Sequence, residues 1–195
     1  MKNNECIFIH LDYKEKDLYE YYKTLNANLL DDEPAQYIEE QKKELNFNFD
    51  GNTIRDLKNF LNEKTGHTAL YRPDLVSKVD PNHHSIKYIT NQLYNLGLKP
   101  GLINFFFQEK NSKVPIHSDY PYRKNSLIMI PIFHLEFVPT SAVTFYENGG
   151  SYKVLKPCVI NTEPRHGVDN IDGDRLMLHI ELPDTPFEKI NEIFK

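Results

Sequence analysis

Apolar positions follow two different rhythms along this chain. Up to Gly97 they recur at intervals of three and four between polar residues, the spacing of one buried helical face. Four segments carry it: EKDLYEYYKTLNANLL (15–30), DEPAQYIEEQKKELNF (32–47), NTIRDLKNFLNEK (52–64) and PNHHSIKYITNQLYNLG (81–97). The last has Pro81 near its start and Gly97 at its end, the usual punctuation of a helix. The opening ECIFIHLDY reads instead as a strand, because Ile7, Ile9 and Leu11 alternate with Phe8 and His10. After LKPG the texture changes to short runs rich in β-branched and aromatic residues, separated by turn residues. These are LINFFFQE, VPIHSD, SLIMIPIFHLEFV, AVTFYENG, KVLKPCVINT and RLMLHIEL. Glu147 to Ser151, ENGGS, suits a hairpin turn, and TPFEKINEIFK a short closing helix. No repeat or flexible linker separates the two textures. The pattern predicts one domain of 195 residues: a mostly helical buttress over 1–100, a double-sheet β core over 101–183 and a C-terminal helix over 184–195.

Alternation within the strands then sorts side chains by face. In RLMLHIEL, Arg175, Met177, His179 and Glu181 share one side; Leu176, Leu178, Ile180 and Leu182 share the other. The wholly apolar side is expected to pack on the helices and send Arg175 into the barrel, where a buried guanidinium calls for an anionic partner. In LINFFFQE, Asn104, Phe106 and Gln108 fall together, opposite Ile103, Phe105 and Phe107.

Composition narrows the function classes. With 39% hydrophobic residues the chain can bury a substantial core. Its 23 Lys and Arg against 28 Asp and Glu give a formal charge of −5, which argues against non-specific binding to nucleic acid or to an anionic membrane. No apolar run approaches the roughly 20 residues needed to cross a bilayer, and CIFI is too short for the apolar region of a signal peptide. A soluble, cytoplasmic protein is expected. Its two cysteines, Cys6 and Cys158, lack metal-knuckle spacing and are expected to be buried as small apolar side chains.

The chemistry concentrates in VPIHSD. On a strand, His117 and Asp119 project to one side and can offer an imidazole nitrogen and a carboxylate oxygen to one point. His166, in TEPRHGVDN, is the third candidate ligand, on a segment expected to return and face the first across the barrel mouth. Two histidines and one carboxylate on one side of an ion leave the remaining positions open, as in non-haem Fe(II) oxygenases. Asn104 and Thr144 are candidates for hydrogen bonds to a co-substrate; Tyr120, Tyr122 and Arg123 stand where a loop can close over a substrate. His83 and His84 lie at a helix start and are expected to cap or solvate it; His179 is a candidate lining residue and His134 sits on a strand.

Read in order, His117-Ser118-Asp119, His166 and Arg175 resemble the H-x-D…H…R pattern of Fe(II)/2-oxoglutarate-dependent dioxygenases, over roughly residues 102–182. The phrases LKPGLINFFFQEKNSKVPIHSD, LIMIPI and CVINTEPRHGVDNIDGDRLMLHIEL are most similar to the aspartyl/asparaginyl β-hydroxylase-like branch. That branch often has an Arg on the strand leading to its LPL-like phrase, and the stretch from Asn125 to Ile128 has none. The resemblance implies a double-stranded β-helix (jelly-roll, cupin-like) core buttressed by the N-terminal helices. It implies Fe(II) held by His117, Asp119 and His166, and 2-oxoglutarate gripped through its distal carboxylate by Arg175. It implies dioxygen as oxidant and hydroxylation of a small molecule, an amino acid or a peptidyl side chain. A nucleobase demethylase is disfavoured, because such enzymes resemble a pattern with a second Arg six residues after the first, and Glu181 stands there. Two other readings stay open: a cupin-like metal-dependent isomerase or lyase without 2-oxoglutarate, and a non-catalytic barrel binding module.

Overall fold

The computed structural model describes residues 5–25, 28–29, 75–108, 114–117, 126–133, 142–145, 150–168, 173–183 and 185–194. The segments 32–47 and 52–64, predicted as helices, lie outside them, as does His134. Eleven strands are described: β1 (Cys6–Phe8), β2 (Asn28–Leu29), β3 (Leu75–Lys78), β4 (Ile103–Gln108), β5 (Val114–His117), β6 (Ser126–Ile132), β7 (Ala142–Phe145), β8 (Ser151–Lys153), β9 (Cys158–Asn161), β10 (His166–Val168) and β11 (Arg175–Leu182). Three helices accompany them: α1 (Glu15–Thr24), α2 (His84–Asn95) and α3 (Phe187–Ile193).

The strands form two antiparallel sheets, a large one in the order β1-β9-β6-β11-β4-β3-β2 and a small one in the order β5-β10-β7-β8. From β4 to β11 the chain switches sheet at every step except β7 to β8. The central four of the large sheet, β9-β6-β11-β4, therefore face a small sheet built entirely from the intervening strands. That is the winding of a jelly roll, and the core is a double-stranded β-helix. β1 adds an edge beside β9, while β3 and β2 extend the opposite edge beside β4.

Alternation along β11 divides the core as the sequence pattern requires. Leu176, Leu178, Ile180 and Leu182 are buried with Ile128, Ile130 and Ile132 of β6 and Phe105 of β4. Against this outer face pack Leu18 and Tyr21 of α1, Ile86, Ile89 and Leu93 of α2, and Ile190 of α3. Met177 of β11 belongs instead to a second cluster with Met129, Cys158, Ile160 and Val168, which joins the inner face of the large sheet to the small sheet. Both faces of β6 are thus covered, which is why SLIMIPI reads as a continuous apolar run rather than an alternating one.

Three expectations need revision. The first helix stops at Thr24, and the chain re-enters the large sheet as β2. LVSK, inside the part read as helical, is strand β3. His83 occupies the N-cap of α2 without a side-chain cap bond; its ring stacks on Tyr21, 3.6 Å between centroids and 5° from parallel. The other end of α2 is closed by backbone. Gly97 takes a positive φ of 73° and donates its N–H to Tyr94, while Leu98 donates to Leu93. These two bonds form a Schellman motif, with buried Leu93 and Leu98 supplying its apolar contact.

Candidate functional site

The small sheet brings two of the predicted ligand positions together. β10 lies between β5 and β7, and its first residue, His166, is the Cα partner of His117 on β5 and of Phe145 on β7. The two histidine positions are therefore neighbours within one sheet and do not approach across the barrel mouth. A register shift accompanies the pairing, since two steps on β10, from His166 to Val168, match three on β5, from His117 back to Val114. The extra residue is a bulge, and it falls where Pro115, which has no N–H to give a ladder, sits in the edge strand. Without the bulge, positions 114 and 117 would fall on opposite faces. With it, position 117 lies opposite His166 and position 114 opposite Val168, which is part of the inner cluster.

His166 is 6% exposed. Its Nδ1 lies 2.9 Å from the carbonyl oxygen of Pro164. A carbonyl only accepts, so Nδ1 carries the proton and the lone pair resides on Nε2. This is the backing that metal-ligating histidines commonly have, and it fixes both tautomer and ring orientation. The donor chemistry of His166 thus fits a metal ion. Of the predicted three ligands only His166 has a described side chain; Asp119 lies outside the described residues, as do Tyr120, Tyr122 and Arg123. Among the described residues no three His, Cys, Asp or Glu side chains gather as a metal site. Thr144 is the Cα partner of Gly167, one step from His166.

The inner face of the large sheet is built in rows where β4 and β11 pair. Arg175 stands opposite Gln108, Met177 opposite Phe106, and His179 opposite Asn104. Arg175 and Gln108 are each 3% exposed, and Arg175 Nη2 donates a hydrogen bond to Gln108 Oε1. The apolar Met177 and Phe106 follow. Next, His179 stacks on Phe106, 4.4 Å between ring centroids, and Asn104 is buried with no hydrogen bond to its Oδ1 among the described residues. Asn104 is therefore four residues along the ladder from the Gln108 row, with an apolar row between. Gln108, which sequence reasoning passed over in favour of Asn104, is the residue that touches the guanidinium. Its placement on the face of Asn104 was legible; the register that sets it against Arg175 was not.

A second group of polar side chains lies on the inner cluster near β1 and β9. Cys6 and Cys158, 152 positions apart in the chain (158 − 6), are both buried. A hydrogen bond with the Cys6 thiol, followed by burial, pushes the Cys158 thiol far above its ordinary range.

No protein-family model matches the chain, and no curated protein sequence matches it. Solved structures do. A Pseudomonas putida prolyl-4-hydroxylase is 14% identical with a TM-score of 0.43, over 88% of this chain and 100% of that one. The viral collagen prolyl hydroxylase of Paramecium bursaria Chlorella virus-1, solved with 2-oxoglutarate, is 12% identical with a TM-score of 0.46, over 64% and 87%. A cupin family protein with a double-stranded β-helix fold from Methanocaldococcus jannaschii is 14% identical with a TM-score of 0.32, over 46% and 74%.

Proposed function

We propose that this protein is an Fe(II)/2-oxoglutarate-dependent oxygenase that hydroxylates a small molecule, an amino acid or a peptidyl side chain. One observation carries the reading: a buried histidine whose Nδ1–H is tied to a backbone carbonyl starts β10 directly opposite the His117 position. His166, His117 and Asp119 would hold the metal. When bound, Fe(II) and 2-oxoglutarate together supply, with dioxygen, an oxidant able to take hydrogen from a C–H bond as the keto acid becomes succinate and CO₂. The protein's own part is positional. Pro164 holds the imidazole in the tautomer that presents Nε2. Arg175, buried at the start of β11, would grip the distal carboxylate of the keto acid. The apolar row of Met177 and Phe106 would keep water from the barrel interior.

Arg175 also separates this reading from a cupin-like isomerase or lyase, whose chemistry needs no keto acid. Iron-loaded protein given 2-oxoglutarate under nitrogen and then exposed to air should release succinate, even uncoupled from substrate. His166→Ala should lose metal affinity by equilibrium dialysis, and Arg175→Ala should retain metal but lose 2-oxoglutarate binding. Iron-loaded wild-type protein that binds no 2-oxoglutarate would remove the proposal. The aspartyl/asparaginyl β-hydroxylase-like branch is a narrower form of it and rests on the sequence phrases alone.

A further inference from the structure

α2 begins at a histidine whose ring has little room for a second proton. His83 is the N-cap residue of α2, and its ring lies face to face on Tyr21 of α1, 3.6 Å between centroids and 5° from parallel. Its Nδ1 is buried and makes no hydrogen bond among the described residues. A neutral imidazole tolerates this, because its proton can sit on Nε2. An imidazolium carries a proton on both nitrogens, and the one on Nδ1 would have no acceptor. The positive end of the α2 dipole adds to that cost. Among the described residues, His84, 4.3 Å away between ring centroids, repels the charged ring, whereas Asp80 and the face of Tyr21 attract it. Burial first, then His84, outweighs that attraction and holds the His83 imidazole below its ordinary value of 6.5.

The turn that carries His83 holds the same tyrosine a second time. The Tyr21 hydroxyl oxygen accepts the Asp80 N–H at 2.6 Å, and His83 donates its own N–H to the Asp80 carbonyl at 3.0 Å. On its other side Tyr21 meets Phe105 of β4 edge-on. We propose that the His83–Tyr21 stack is a pH-sensitive latch: on acidification His83 takes up a proton and leaves Tyr21, and the turn from Asp80 to His83 opens from α1 with the first turn of α2 while the two sheets stay folded. The proton favours the open state, in which the imidazole is solvated. The stability that the latch contributes is therefore fully present above pH 6.5 and is lost as the pH falls through the lower value of the stacked ring. The latch is independent of the oxygenase reading.

The test is NMR on the full-length chain, following the His83 ring protons through a pH titration and backbone amide exchange at about pH 5 and about pH 7.5, corrected for the intrinsic exchange rate. His83 should titrate below 6.5. The Asp80 and Lys87 amides, which donate to the Tyr21 hydroxyl and to the His83 carbonyl, should lose about twofold or more of their protection at the lower pH. The amide of Leu178 on β11 should lose none. His83→Phe keeps a ring on Tyr21 but cannot take a proton, so its amides at 80 and 87 should be equally protected at both pH values. His84→Asn should retain most of the wild-type response. A His83 titration at or above 6.5, an equal loss at Leu178, or the wild-type response in His83→Phe overturns the inference. Should His83→Phe not fold, the ring titration and the contrast between positions 80 and 87 and position 178 decide in wild type alone.

Discussion

At the scale of single residues, the surroundings of two groups make their chemistry predictable. Cys158 is fully buried, and its bond with Cys6 together with burial favours the neutral thiol. Because the thiolate is the reactive form, a maleimide should fail to label Cys158 in the native protein at neutral pH and should label it once denaturant unfolds the chain. Rapid native labelling, mapped by mass spectrometry, would contradict this. Tyr13 has its hydroxyl 3.4 Å from the carbonyl oxygen of Pro131 on β6. Burial first, then the negative charge of Glu15, raises its pKa from 10.0 to about 12. The folded state thus holds the proton more tightly than the unfolded one. The stability this contributes is fully present below pH 10 and is lost as pH rises toward 12. Alkaline unfolding followed by circular dichroism should be shallower in Tyr13→Phe than in wild type, and identical curves would refute the assignment. Residue type alone made His166 and Arg175 legible as candidates, and both are buried. The Pro164 backing and the Gln108 partner were not, because backbone acceptors and strand registers leave no trace in residue type.

At the scale of elements, the sequence pattern located β4, β6, β11, α2 and α3 because each has enough residues for its period to repeat. β10 has three, HGV, and a period cannot be seen in three residues. It was expected only as part of a segment after KVLKPCVIN that returns to face the first across the barrel mouth, and it lies instead in the same sheet, between β5 and β7. β3 failed for a similar reason, as LVSK is four residues beside a helical stretch. Residues 15–30 retained helical periodicity past Thr24, but pairing of Asn28 and Leu29 with β3 captured the end of the segment for the sheet. The end of α2 was predicted from Gly97 and is held by it. A Cβ at that position meets no neighbour within 4 Å, so the cost of Gly97→Ala comes from the positive φ alone. Chemical denaturation should register a loss of about 1 kcal/mol, and a variant as stable as wild type would mean that the motif relaxes without cost.

At the scale of the whole molecule, the large sheet is the shared wall of two apolar clusters, one beneath the helices and one inside the barrel. Phe105, fully buried among α1, β4 and β11, sits in the larger of them with Tyr21 and Tyr22 against its ring. Phe105→Ala should cost about 3–5 kcal/mol of stability, read from urea midpoints, and a loss below 1 kcal/mol would show that this cluster can collapse into the space. The two-sheet architecture was foreseeable from the number and spacing of the strands. Which strands join which sheet was not, because long-range pairing depends on how apolar faces meet after the chain has turned.

β11 holds both clusters at once, and its even and odd positions consequently meet different packing demands. Positions 176, 178, 180 and 182 belong to the cluster beneath the helices, whereas Met177 belongs to the cluster between the two sheets and Arg175 and His179 share its side of the strand. A mutant library restricted to position 177 should therefore disturb the packing between the two sheets while leaving the cluster beneath the helices intact.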